Sequence, residues 1–268
     1  MKNADRTFLK GLAVNLSAVV LCLAAGLGTP AGARADEADA KRLLKAMSDY
    51  MAAQKVLSFQ YDSDLEVVTK ENQKITLSSS GQVTMKRPDK IRATRTGGFA
   101  DVEFLFDGKT VTLFGKDANL YGQMESPGTL DHLVDALREK GRPIPAADLL
   151  LSDVYGKLMD NVTDVKDLGS GVIGGIEYDH LAFRTAEVDW EIWIAQGPRP
   201  YPGRFVITST KVAQAPRYSI TVRDWKTGGE VKPDDFGFKH EKSAKKVDLA
   251  NLPNTDDVPD VFAVGGGK

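Results

Sequence analysis

The feature that most constrains this chain is a strict alternation of apolar and polar residues that begins at Leu57. Apolar residues fall on odd numbers as far as Val67 and again from Ile75 to Met85, with polar residues between them. A period of two predicts β-strands with one apolar and one solvated face. Residues paired across a hairpin share a face, so odd numbers stay inward in both strands only if the connection has an odd residue count or a bulge. We therefore expect such a connection near Asn72, a residue that tolerates a left-handed backbone.

Further strands extend this hairpin. Strand-like segments lie at 91–96, 102–106 and 110–114, and the Asp-Gly pair at 107–108 is typical of a hairpin turn. Residues 121–127 are interpreted as a connector. The pattern predicts a twisted antiparallel meander with an apolar concave side. The inward residues expected to line a ligand cavity are Phe59, Tyr61, Leu65, Val67, Ile75, Leu77, Val83, Met85, Phe104 and Phe106.

The first 35 residues have the pattern of a cleavable export signal. Lys2, Arg6 and Lys10 precede an apolar run at 11–28, and an Ala-Arg-Ala sequence at 33–35 offers a cleavage site. An uncleaved anchor is the alternative, because the apolar run approaches the length that spans a bilayer. The sequence favours cleavage and a periplasmic location with no stable membrane span.

Charge and cysteine content narrow the function classes. The whole chain has a net charge of -2, and removing a leader with four basic residues and one acidic residue leaves about -5. An acidic mature chain argues against a nucleic-acid partner. The single cysteine, Cys22, lies within the leader, so we expect no disulfide in the mature protein.

Three helices are predicted. Residues 36–54, with Asp36 as the cap, have apolar residues at helical spacing on one face, which is expected to pack on the meander; binding to a membrane surface is the alternative. Helices at 130–140 and 145–159 form the only long insertion between strands, and Gly156 is a candidate interruption of the second. The apolar residues of this insertion that are expected to face a cavity as a lid are Leu133, Leu137, Leu149, Leu150 and Tyr155.

The order of elements predicts the fold class. Strands resume after the insertion and continue to 238, and the composition of 239–268 indicates a flexible tail. A helix, several strands, two helices and several strands predict an α+β domain over 36–238. Its antiparallel sheet is rolled part-way round as a half-open β-barrel, and the inserted helices cover the open side.

The chain carries no constellation of residues that predicts catalysis. His132, His180 and His240 lie far apart, and neighbouring strand residues such as Asp179 and His180 point to opposite faces, which disfavours a metal site. The glycines at 169–174 match a dinucleotide fingerprint, but no strand–helix unit surrounds them. We expect a protein that is not an enzyme and that uses no metal or cofactor.

Short motifs in the first half resemble the periplasmic lipoprotein carriers of the LolA type. The Met-Lys-Arg-Pro sequence at 85–88 is followed by Asp-Gly-Lys-Thr at 107–110, and a late Phe-x-Phe stands at 236–238. The resemblance implies a half-open β-barrel whose helical lid covers an apolar cavity for acyl chains. Arg87 matches an arginine that hydrogen-bonds the lid in those carriers and helps to keep it shut, so the resemblance implies a latch. An ordinary strand-end arginine is the alternative.

Motifs in the second half are similar to a family of uncharacterised predicted periplasmic proteins in the same superfamily. They are His-Leu-Ala-Phe-Arg at 180–184, Asp-Trp-Glu-Ile-Trp-Ile at 189–194 and Pro-Arg-Tyr at 216–218. The expected function is that of a periplasmic binding or carrier protein for a lipid or acyl chain, including that of a lipoprotein. The alternative is a sensor or interaction module that recognises a segment of an envelope protein with the same fold.

Overall fold

The computed structural model describes residues 32–141, 144–240 and 243–252. Helix α1, Gly32–Ala53, begins four residues before the predicted cap, so Asp36 lies inside the helix. The rest of the predicted export signal, residues 1–31, lies outside the described part. Among the helices that the structure describes, none has both the length and the apolar character needed to cross a membrane. Helix α1 contributes four side chains with no exposed surface to the core, at Ala40, Leu44, Met47 and Met51.

Within the described residues, one sheet dominates and contains twelve strands. They are β1 Val56–Val68, β2 Lys74–Lys86, β3 Lys90–Gly97, β4 Asp101–Phe106, β5 Thr110–Gly115, β6 Leu120–Glu125, β7 Asp164–Ile173, β8 Ile176–Arg184, β9 Val188–Ala195, β10 Pro202–Ser209, β11 Arg217–Thr227 and β12 Lys245–Lys246. The predicted connector at 121–127 is mostly β6, whose glycine and polar residues hide the alternation.

The hairpin of β1 and β2 has the predicted register. Leu57 pairs with Met85 and Leu65 with Leu77, so odd numbers face odd numbers along both strands. Five residues, 69–73, join the last ladder pair, and Asn72 has a φ of 62°. The prediction of an odd connection with a left-handed asparagine is therefore confirmed.

The sheet is open. Its order is β12-β6-β5-β4-β3-β2-β1-β11-β10-β9-β8-β7, so β1 lies near the middle and β7 and β12 form the two edges. All neighbours pair antiparallel except β12, which runs parallel to β6. The large antiparallel sheet with few helices agrees with the expected α+β fold, but the edges do not meet to close a barrel.

The insertion between β6 and β7 links the two sides of this sheet. It contains α2, Leu130–Glu139, a 3-10 helix at Ala147–Leu150, and α3, Val154–Met159. The single helix predicted for 145–159 is therefore two short helices. The break lies before Asp153 rather than at Gly156, because the Asp153 side chain caps α3 by accepting a hydrogen bond from the Gly156 N–H at 2.9 Å.

The C-terminal segment returns to the sheet. We expected a flexible tail from residue 239, yet Lys245 and Lys246 pair with β6, and Leu252 is buried. Composition indicated a tail because charged and small residues dominate it, whereas the pairing uses backbone groups that any residue supplies. Residues 253–268 lie outside the described part.

Candidate ligand cavity

A cavity of about 760 Å³ lies between the concave face of the sheet and the insertion. Strands β1 to β5 and β11 form its floor, and α2 with the 3-10 helix covers it. Leu249 and Ala250 of the C-terminal segment also contribute to the wall. A volume of this size is typical of small-molecule sites. Most of the lining side chains are apolar, so the cavity is suited to an apolar ligand.

Six of the ten residues predicted to line a cavity do so. They are Phe59, Tyr61, Leu65, Leu77, Val83 and Phe104. Their common feature is a position away from the strand ends, where the inward face of the sheet looks into the cavity rather than into packed protein.

The other four predicted residues lie beyond the ends of the cavity. Met85 and Phe106 have no exposed surface and belong to the closed core under the insertion. Val67 and Ile75 pair with each other near the tip of the hairpin. Strand β1 has 13 residues and so spans about 40 Å at roughly 3.3 Å per residue. The alternation predicted which face of the sheet these four side chains occupy. It did not predict whether their positions along so long a strand lie beside the cavity.

Four of the five predicted lid residues line the cavity, and one does not. Leu133, Leu137, Leu149 and Leu150 line the cavity. Tyr155 does not, because α3 packs on α1, where the Tyr155 N–H donates to the Ser48 hydroxyl at 2.9 Å. The cavity is therefore covered by α2 and the 3-10 helix, and α3 anchors the insertion to α1.

Strand β11 contributes residues to the cavity lining that the sequence analysis did not assign to it. Tyr218, Ile220, Val222 and Trp225 line the cavity, and three of these alternate along the strand. The alternation was visible in the sequence, but the pairing of β11 with β1 was not. Without that pairing, nothing showed that these residues share the face of the first hairpin.

Trp225 organises an aromatic part of the wall. Its ring stacks on Phe59 at 5.6 Å between centroids and on Tyr201 at 5.1 Å. Its indole N–H donates to the Tyr50 hydroxyl at 3.1 Å. The hydrogen bond satisfies the indole N–H and leaves the ring faces to apolar contacts, as is usual for buried tryptophan.

Hydroxyl groups lie on the concave face between two apolar residue pairs of the lining, Phe59–Val83 and Leu65–Leu77. The Tyr61 hydroxyl donates to the Thr94 carbonyl at 2.9 Å, and the Ser63 and Ser79 hydroxyls are 2.9 Å apart. Burial raises the pKa of Tyr61 to about 12, and burial also raises the pKa of Tyr218. Both phenols therefore stay neutral at physiological pH and act as hydrogen-bonding groups.

Arg87 contacts the insertion from the end of β2. Its Nη2 donates to the Leu151 carbonyl at 3.0 Å, directly after the 3-10 helix. The adjacent Pro88 carbonyl accepts from the Leu130 N–H at 2.8 Å, at the start of α2. Burial lowers the pKa of Arg87, and the Asp131 carboxylate opposes that shift. The β2–β3 turn thus holds both ends of the segment that covers the cavity.

His180, which the sequence analysis considered as a metal ligand, contacts Trp193 and Glu191 instead. The His180 ring stacks on Trp193 at 3.9 Å, and its Nε2 lies 2.9 Å from Glu191 Oε2. Across the described ranges of the chain, no group of three or more histidine, cysteine or carboxylate side chains is placed to hold a metal ion.

The chain belongs to a protein family described as "Predicted periplasmic protein (DUF2092)". The family model matches residues 40–250, which is most of the chain. This match confirms the family predicted from the motifs of the second half. Among curated protein sequences, none matches the chain.

The solved structures that resemble this chain include those of two mycobacterial proteins. LprF from Mycobacterium bovis is 16% identical, with a TM-score of 0.46 over 75% of this chain and 99% of that one. The lipoprotein LppX from Mycobacterium tuberculosis is 13% identical, with a TM-score of 0.44 over 70% and 96%. A LolA superfamily protein from Nitrosomonas europaea is 11% identical, with a TM-score of 0.34 over 75% and 97%.

Proposed function

We propose that this protein is a non-enzymatic periplasmic binding or carrier protein that holds a lipid or acyl chain in its cavity. The observation that carries the proposal is the covered, mainly apolar cavity of about 760 Å³. Burial of about 15 methylenes at roughly 0.8 kcal/mol each supplies ample gross driving force. Such a ligand needs few polar contacts, which fits a lining built from leucine, valine and phenylalanine.

The covering helices act in this proposal as a lid over a half-open barrel. Leu133, Leu137 and Leu149 present apolar side chains to the ligand space. Arg87 is the proposed latch, because its hydrogen bond to Leu151 joins the sheet to the insertion. A ligand enters or leaves when this contact breaks and α2 moves away from the sheet.

Ligand identity is tested with protein purified from its native periplasm. Mass spectrometry of organic extracts should find an acyl-containing lipid at close to one molecule per protein. An extract without such a molecule, from protein that also fails to bind an apolar fluorescent probe, would contradict the proposal.

Phe104→Asp tests the cavity directly. Phe104 lines the cavity, and a buried carboxylate there is strongly unfavourable beside an acyl chain. We expect loss of binding of the uncharged probe N-phenyl-1-naphthylamine, or loss of the fold. The matched control is Gln82→Asp at an exposed outer position of β2, which should retain both. Unchanged binding by a folded Phe104→Asp protein would remove this residue from the site.

The export signal belongs to the same proposal. We expect the periplasmic protein to begin at Asp36, after cleavage behind the Ala-Arg-Ala sequence at 33–35. N-terminal sequencing of the exported protein checks this. A retained apolar run at 11–28 would indicate a membrane-anchored domain instead.

A second candidate function is recognition of a protein segment. Strand β7 is a sheet edge, and its hairpin with β8 exposes Leu168 at 48%, Val172 at 71% and Ile176 at 48%. An edge strand with exposed apolar side chains can accept an additional strand from a partner. Binding of an envelope-protein peptide to delipidated protein, blocked by Val172→Lys, would favour this function. Equal peptide binding by Val172→Lys would contradict it.

A further inference from the structure

A group of hydroxyls interrupts the apolar lining of the cavity along the first hairpin. Ser63 pairs with Ser79 across β1 and β2, both serines line the cavity, and their hydroxyl oxygens are 2.9 Å apart. Apolar side chains of the same two strands line the cavity on both sides of the serines, with Phe59 and Val83 on one side and Leu65 and Leu77 on the other. The lining is therefore apolar, then polar, then apolar again.

Tyr218 of β11 joins the two serines. It pairs with Leu65 of β1 and lines the cavity, and its phenol interacts with the Ser63 hydroxyl. We call the three hydroxyls of Ser63, Ser79 and Tyr218 the hydroxyl belt. Burial raises the pKa of Tyr218, so the belt carries no charge at physiological pH.

The hydroxyl belt has more hydrogen-bond donors than its own contacts use. Each hydroxyl supplies one O–H donor and two acceptor lone pairs. The two contacts within the belt use two of its three donors, so at least one O–H remains to donate to another group. When a ligand excludes water from the belt, an O–H without a partner becomes unfavourable. A ligand that brings an acceptor oxygen to this position is therefore favoured over a plain hydrocarbon chain.

The apolar section beyond the belt is short. Leu65 lies two residues after Ser63 on β1, which is roughly 7 Å at about 3.3 Å per residue. An extended alkyl chain with C–C bonds of about 1.5 Å covers that distance with roughly six carbons. In the other direction the lining continues past Phe59 to the leucines of the insertion, so a longer chain fits there.

We propose that the hydroxyl belt binds the carbonyl oxygen of an ester, and that the ligand is an uncharged ester lipid with a short and a long alkyl group. The short group covers Leu65 and Leu77, and the long one lies against Phe59 under the inserted helices. The inference rests on the proposed function, because it needs the acyl chain to occupy the cavity. Arg95 also lines the cavity, but it already interacts with other groups of the protein, so no charged head is assigned to it.

The test compares two esters of the same composition, C18H36O2, that differ only in the position of the ester. Delipidated protein is loaded with N-phenyl-1-naphthylamine, and the probe is displaced by hexyl dodecanoate or by methyl heptadecanoate. Only the hexyl ester can place its carbonyl at the belt and still cover the apolar section beyond it. We expect the hexyl ester to bind about fivefold more tightly, as for one neutral hydrogen bond.

A variant without the belt should lose this preference. The triple variant Ser63→Ala, Ser79→Ala, Tyr218→Phe should bind the hexyl ester no more than about twofold more tightly than the methyl ester. Ser80→Ala is the control, because Ser80 lies beside Ser79 on the opposite face of β2, where its hydroxyl donates to Asp62 at 2.6 Å. It removes a hydroxyl from the same strand and should leave the preference intact.

The outcomes separate the two proposals. Failure of both esters to displace the probe would overturn the proposed function. Equal displacement by the two esters, or a preference that survives the triple variant, would overturn the belt as an ester site and leave the proposed function standing. If the triple variant does not fold, infrared spectroscopy of the wild type replaces it. The carbonyl band of hexyl dodecanoate, labelled with ¹³C at that carbon, should lie at lower frequency when bound than in hexane, and an unshifted band also overturns the ester site.

Discussion

The two halves of the sheet present similar alternating strands to the same concave side, but the cavity lies mainly against one half. In the half formed by β7 to β10, Leu181, Ile192 and Ile194 are at most 1% exposed. In the half formed by β1 to β6, Leu65 and Leu113 line open space. Helix α1 makes the difference, because it packs against β7 and β9 and fills that half.

This comparison shows that an alternating pattern does not distinguish a core wall from a cavity wall. Both need apolar side chains on every second residue. The distinction is whether another element occupies the space above them. Here the helix with Leu44, Met47 and Met51 occupies one half, and the first hairpin and its neighbours remain available to a ligand.

The largest expected effect is on stability in the filled half. Ile192→Ala should lower the free energy of unfolding by about 2–5 kcal/mol, because it leaves a void in close-packed protein. Leu113→Ala on the cavity wall should cost about 1 kcal/mol, since it enlarges a space that already exists. Urea denaturation of the delipidated proteins measures both. Equal losses would contradict the division into a core half and a cavity half.

The next largest effect is expected at Arg87, the proposed latch of the helices that cover the cavity. Arg87→Leu removes a charged hydrogen bond worth about 1.5–3 kcal/mol, which corresponds to roughly a tenfold to hundredfold shift towards an open lid. Amide hydrogen exchange should accelerate across residues 130–151, while α1 exchanges as in the wild type. Unchanged exchange in the lid would leave Arg87 as an ordinary strand-end arginine.

The other end of the insertion offers a smaller and complementary change. Ser48 is buried in α1, and its hydroxyl accepts a hydrogen bond from the Tyr155 N–H. Ser48→Ala leaves that donor without its partner and should lower the free energy of unfolding by about 1 kcal/mol. We expect faster hydrogen exchange in α3 and little change in α2. Acceleration of α2 to the same extent would show that the insertion opens as one unit rather than in two parts.

The smallest effect depends on pH and concerns the outer face of the cavity half. Arg92 Nε donates to Asp234 Oδ2 at 2.7 Å and ties the C-terminal segment to β3. Burial raises the pKa of Asp234, but hydrogen bonds from Arg92 and the Phe236 N–H outweigh it, so the pKa lies below its ordinary 3.8. A lowered pKa stabilises the fold above about pH 4, and this stabilisation is lost as the pH falls further.

Asp234→Asn should therefore lower stability at pH 7 by about 1 kcal/mol or less, given partial exposure to solvent. The difference from the wild type should shrink as the pH falls below about 4. Denaturation curves at several pH values measure this. A difference that stays constant down to pH 3 would show that the carboxylate charge contributes nothing.

Some elements were predictable because their causes are local. The odd connection at 69–73 followed from the parity of two adjacent strands. The contact of Arg87 with the insertion agreed with the resemblance to lipoprotein carriers. The break was predicted at Gly156 but lies before Asp153, because Asp153 caps the start of α3 through the hydrogen bond from the Gly156 N–H.

By itself, the sequence determined which face of each strand is apolar, where the chain turns, and the family to which it belongs. Side-chain alternation and turn chemistry depend only on neighbours along the chain. Tertiary structure alone decided that Met85 and Phe106 are sealed in the core while Phe104 borders the cavity, and that β11 completes the wall. The physical reason is that burial depends on what packs above a residue. Helix α1 fills one half of the sheet, and the other half holds both packed core and the cavity under the inserted helices.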